Sequence, residues 1–155
     1  MNSLIQNIRT LIGRHVQTSS SPPMPETQLA LLDDYCRQME DYLDVVSDIT
    51  ETLAVGVKQL RRKQRHFETL VQEANVNIET FSHEGQDKLA KAAAERKLVL
   101  SQAVKTCQQE ADHQNARLLE FMDAKLQLEA RLIEINRERA LLEAQLDQDI
   151  SLQPM

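Results

Sequence analysis

Aromatic residues are scarce in this chain: two Tyr, three Phe and no Trp among 155 residues. Globular cores draw on aromatic bulk, because each ring buries a large area. Their scarcity argues against a sizeable three-dimensional core and for helix packed on helix. Breakers are few as well, with three Gly and four Pro. Pro22, Pro23 and Pro25 cluster, which leaves nearly all the remaining sequence free to be helical. The isolated glycines exclude a Gly-rich phosphate loop. Cys36 and Cys107 lie far apart and form no CxxC pair, a usage that fits a reducing, cytoplasmic compartment. No apolar run approaches the ~18 residues of a membrane span. The N-terminus has no continuous apolar region ending in a small-residue cleavage site, so it reads as something other than a signal peptide.

What is abundant is Leu, Ile, Val, Ala and Met mixed with Glu, Gln, Lys and Arg, the composition of long helices with a narrow apolar seam. The net charge is −6 and is unevenly spread. Residues 26–51 hold Glu26, Asp33, Asp34, Glu40, Asp41, Asp44, Asp48 and Glu51 against Arg37 alone. A basic run follows: Lys58, Arg61, Arg62, Lys63 and Arg65. An acidic chain without a dominant basic face is a poor nucleic-acid binder.

Residues 1–17 read as a short amphipathic helix. At 100° per residue, Met1, Leu4, Ile5, Ile8, Leu11, Ile12 and Val16 share an arc of roughly 140°. The other side is polar, carries Arg9 and Arg14, and has no acid. Residues 18–25, TSSSPPMP, form a Ser/Pro linker in which consecutive prolines block helix. Residues 26–81 form one long helix. One seam series runs Leu32, Met39, Val46, Leu53, Leu60, Phe67, Ala74, Phe81. Its partner runs Leu29, Cys36, Leu43, Thr50, Val57, Gln64, Val71, Ile78, with only Thr50 and Gln64 polar. That persistence exceeds the about three to four heptads that mark a coiled coil.

Residues 82–86, SHEGQ, predict a tight turn, with Gly85 reversing the chain and forcing antiparallel neighbours. A second helix over 87–147 carries Ala93, Leu100, Cys107, Gln114, Phe121, Leu128, Ile135, Leu142 and, beside them, Ala90, Lys97, Val104, Ala111, Leu118, Lys125, Leu132, Arg139, Leu146. Residues 148–155 read as a frayed tail. The expected fold is all-α: an elongated antiparallel two-helix coiled-coil hairpin, each arm roughly 85–90 Å long, preceded by the amphipathic helix. With the turn centred on 84–85, the acids of 33–51 face a stretch containing Arg117, Lys125, Arg131 and Arg137, which pairs opposite charges.

Catalytic chemistry finds no footing. The histidines His15, His66, His83 and His113 include no i, i+4 metal pair. A two-helix hairpin offers no concave site in which to desolvate a catalytic group. The chain reads as a non-enzyme with no metal or cofactor. Two features stand out instead. The N-terminal helix suits insertion into a membrane interface through Met1, Leu4, Ile5, Ile8, Leu11 and Ile12, with Arg9 and Arg14 drawn to anionic lipid; docking on the hairpin or another protein is the alternative. The acids Asp41, Asp44 and Asp48 and the bases Lys58, Arg61, Arg62 and Arg65 suit a staggered contact between subunits, against the simpler reading of surface charge for solubility.

These features together resemble the phage shock protein A family. The resemblance is carried by the N-terminal amphipathic helix, the Pro-containing joint, Gln38-Met39-Glu40-Asp41-Tyr42-Leu43, the stretch from Ala54 through Lys58-Gln59-Leu60 to Arg61-Arg62, and Asp87-Lys88-Leu89-Ala90-Lys91-Ala92-Ala93 after the turn. It covers about residues 1–147, a shortened version of the pattern, since family members continue with further helices. The family includes the plastid vesicle-inducing proteins and is related to ESCRT-III membrane-remodelling proteins. The resemblance implies a peripheral protein on the cytoplasmic side of the inner membrane. It implies a homo-oligomer, or a partner of a longer homologue, that supports membrane remodelling or envelope-stress protection and contacts an AAA+ protein. The rival reading is a soluble coiled-coil hairpin, either a stalk or escort of an export apparatus or a regulator of an AAA+ partner.

Overall fold

A computed structural model describes residues 3–14 and 24–152. Among the described residues there are three helices and no strand: α1, Ser3–Gly13; α2, Pro25–His83; and α3, Asp87–Leu152. The long helices α2 and α3 pack against each other, as an all-α hairpin requires. Residues 15–17 of the expected first helix, and most of the linker, lie outside the described residues.

The boundaries have local causes. The Met24 carbonyl accepts the first helical bond, from Gln28 N at 2.9 Å. Pro25 is thus the first helical residue, where its missing N–H costs nothing and its φ is already helical. At the other end Gly85 adopts φ 72°. Gln86 N donates to Phe81 O at 2.8 Å and Gly85 N to Ser82 O at 3.2 Å, the paired bonds of a Schellman cap. The Gln86 carbonyl then accepts from Ala90 N at 3.0 Å and opens α3. α3 runs on to Leu152, so residues 148–152, read from sequence as a frayed tail, are helical. No Gly or Pro stands between Leu146 and Leu152 to stop the helix.

None of the seam positions expected on α2 or α3 is exposed. The pairing is displaced by about three residues from the expected register: Cys36 meets Asn136, and Asp33 meets Arg139. α3 begins at Asp87 as expected, but α2 runs on to His83, so the turn centres on Gly85; that accounts for about one residue of the displacement.

The chain divides into two compact units. The first joins α1, the part of α2 up to Thr50 and α3 from Leu119 onward; its core includes Ile5, Ile8, Leu11, Met39, Val46, Leu128 and Ile135. The second spans Glu51–Leu118 and buries Ala74, Ala93, Leu100, Cys107 and Ala111. In that second unit Gly56 closes on Gln114: a Cβ added there would sit 2.7 Å from the Gln114 Oε1.

Candidate functional site

The first candidate is α1. Its 11 residues would be marginally helical alone, since nucleation is costly and few residues offset it. Packing within the first unit supplies what propensity does not. Ile8 is wholly buried, and Ile5 and Leu11 nearly so, while Leu4 and Ile12 are half-buried. Arg9 and Arg14 are exposed, and Met1 lies outside the described residues. The apolar arc read from sequence as suited to a membrane interface is thus covered by protein in this structure, and α1 is a packed helix.

One polar contact fixes its end. The Tyr35 hydroxyl donates to the Leu11 carbonyl. The last carbonyls of any helix lack an intrahelical donor, so Tyr35 on α2 supplies what the end of α1 is missing. Tyr35 also hydrogen-bonds Arg131 on α3, a side chain only 16% exposed. Arg131 Nη1 donates to Glu134 Oε2 at 2.5 Å. Burial works against its charge, but the bonds to Glu134 and Tyr35 outweigh that and raise its pKa above the ordinary guanidinium value. Leu11, Tyr35, Arg131 and Glu134 therefore form a polar chain linking all three helices of this unit. Heptad reading cannot find it, because neither Tyr35 nor Arg131 occupies an expected seam position.

Below this chain, Cys36 Sγ donates to Asn136 Oδ1 at 3.6 Å. Burial pushes the thiol pKa up; Arg139 pulls it down, and Glu40 and Asp33 push it up again. The net rise keeps the thiol protonated and unreactive. Arg139 Nε lies 2.8 Å from Asp33 Oδ1. Cys107, in the other unit, borders an open groove of ≈ 650 Å³ with Leu60, Phe67 and Ala103 on its apolar wall and Arg62 and Glu110 at its rim. Both cysteines are free. Among the described residues no group of three or more metal-binding side chains converges, and no helix is long and apolar enough to cross a membrane.

The second candidate is the charged surface of α2. Asp41, Asp44 and Asp48 are exposed in the first unit; Lys58, Arg62 and Arg65 are exposed in the second. Arg61, read from sequence with that basic group, is used within the chain instead. Its Nη2 pairs with Asp112 Oδ1 at 2.6 Å and its Nη1 donates to Gln64 Oε1 at 3.1 Å. Comparison with protein-family models and with curated proteins finds no match to this chain.

Proposed function

We propose that the protein is a non-enzymatic, peripheral membrane protein of the phage shock type. α1 binds anionic lipid, and the hairpin associates with further copies or a longer homologue in ESCRT-III-like remodelling or envelope-stress protection on the cytoplasmic face of the inner membrane. The observation that carries this reading is the two-sidedness of α1: an apolar arc of Leu4, Ile5, Ile8, Leu11 and Ile12 opposite an acid-free polar side bearing exposed Arg9 and Arg14. The hairpin and a lipid interface compete for the same arc. Both bury it, so apolar area alone does not choose between them. Anionic headgroups add attraction to Arg9 and Arg14, while the docked state adds the Tyr35 bond to Leu11. Anionic lipid should therefore draw α1 off the hairpin, neutral lipid should not, and salt should weaken the effect.

The complete burial of Ile8 favours a second reading, in which α1 stays docked and the protein is a soluble hairpin: an export stalk or escort, or a regulator of an AAA+ partner. Vesicle flotation separates the two. Wild type should float with phosphatidylglycerol-rich vesicles and not with phosphatidylcholine alone. Tyr35→Phe removes the bond that holds the end of α1 and should float better. Arg9→Glu with Arg14→Glu should not float while retaining helix by circular dichroism, and Ile8→Glu should lose flotation because it charges the middle of the arc. If neither wild type nor Tyr35→Phe floats with anionic vesicles, the soluble-hairpin reading replaces this one.

A further inference from the structure

Two exposed trios on α2 are matched in number, opposite in charge and mirrored in spacing. Asp41, Asp44 and Asp48 are separated by three and then four residues; Lys58, Arg62 and Arg65 by four and then three. At 100° per residue each trio fills an arc of about 60°, and each spans about 10.5 Å of helix rise. All six side chains are exposed. Among the described residues none of the six side chains makes a hydrogen bond or ion pair. Asp48 and Lys58 are ten residues apart in sequence, beyond the i, i+3 or i, i+4 spacing at which helical neighbours pair. Arg37 stands four residues before Asp41 and Glu68 three after Arg65, yet neither forms an ion pair with its neighbour, so the charges of each trio remain available.

We propose that the acidic trio of one copy docks antiparallel on the basic trio of a second copy, pairing Asp41 with Arg65, Asp44 with Arg62 and Asp48 with Lys58. This specifies the self-association in the reading above and rests on that part of it. Orientation follows from which arginine is available. Lys58, Arg61 and Arg65 repeat the three-then-four spacing of the acids and would favour a parallel contact. Arg61 is committed to Asp112, which leaves Arg62 and the reversed spacing that only antiparallel helices match. The occupant is a second copy because one chain carries both halves of the match. Exposed pairs are individually weak, so three of them make a contact that ionic strength controls.

Sedimentation velocity tests this on the full chain. Wild type should associate at low ionic strength and dissociate at ~1 M salt, where the Debye length is about 3 Å. One variant carries Asp41→Lys, Asp44→Lys and Asp48→Lys; another carries Lys58→Glu, Arg62→Glu and Arg65→Glu. Each alone should be monomeric, since its two trios then share one sign, and an equimolar mixture should associate as wild type does. Circular dichroism confirms that each remains helical. For orientation, Asp41→Arg should weaken association about fivefold or more. Adding Arg65→Asp should restore it, and adding Lys58→Asp should not. A monomeric wild type, variants that associate undiminished, a mixture that stays monomeric, or rescue by Lys58→Asp in place of Arg65→Asp would each overturn the proposal. Flotation is read separately, so a mixture that stays monomeric while the variants still float sinks this contact and leaves lipid binding standing.

Discussion

The two units bury different kinds of side chain. The largest wholly buried ones, Ile8, Met39, Val46, Leu128 and Ile135, all belong to the unit that contains α1. In the unit built from α2 and α3 alone, only Ala74 and Ala111 are wholly buried, and Leu60, Phe67, Val71 and Ile78 stay half-exposed. Two helices touch along a line, and a long side chain on that line keeps one flank in water. A third helix covers that flank. A coiled-coil seam thus marks which residues face inward, while the depth of burial depends on what else packs there.

That contrast predicts the largest mutational difference. Leu128→Ala and Ile135→Ala should each cost about 3 kcal/mol, because they leave cavities among fully packed neighbours. Leu60→Ala and Val71→Ala, in the two-helix unit, should cost roughly 1 kcal/mol. Urea unfolding of the four variants measures this, and equal costs would dissolve the distinction between the units.

A second, smaller difference is pH-dependent. Burial raises the pKa of Cys36 in the folded chain. Below the ordinary thiol value of about 8.5 both folded and unfolded chains are protonated there, and the group contributes no slope. Above it the unfolded chain gains thiolate while folded Cys36 remains a thiol, so stability falls as pH rises from that value toward the folded one. Cys36→Val should flatten this slope in urea titrations between about pH 8 and 10, the window that opens at the reference thiol value. An unchanged slope would exclude Cys36 as its source.

Much of the architecture was legible beforehand. Leu32, Met39 and Val46 repeat at seven residues, and Gly85 was the one residue near residue 84 able to reverse the chain without a Cβ penalty. The polar chain through Tyr35 and Arg131 was not legible. It depends on register within a single helical turn, and a displacement of about three residues was enough to make Arg139 the partner of Asp33. The arc of α1 could be read, but an apolar arc does not name what covers it.

The smallest expected effect probes the two-helix unit. Gly56→Ala should stabilise the chain by up to about 1 kcal/mol, because Ala is the better helix former. Its new methyl group meets the Oε1 end of Gln114, a flexible side chain that can turn aside toward solvent. A thermal melt that falls instead would show Gln114 to be held in place.

By itself the sequence determined three helices, a reversal at Gly85 and an inward seam, since helix periodicity and glycine's freedom at positive φ are local properties of the chain. The tertiary structure decided the rest. It set α1 against the hairpin with Ile8 wholly buried, gave Tyr35 the end of α1 to cap and paired Arg61 with Asp112 on the surface while Arg62 stayed exposed. It also left Leu119, Leu126 and Ile133 in solvent although they too repeat at seven. Period alone cannot rank two apolar faces of one helix; the partner that packs there does, by burying more area on one of them.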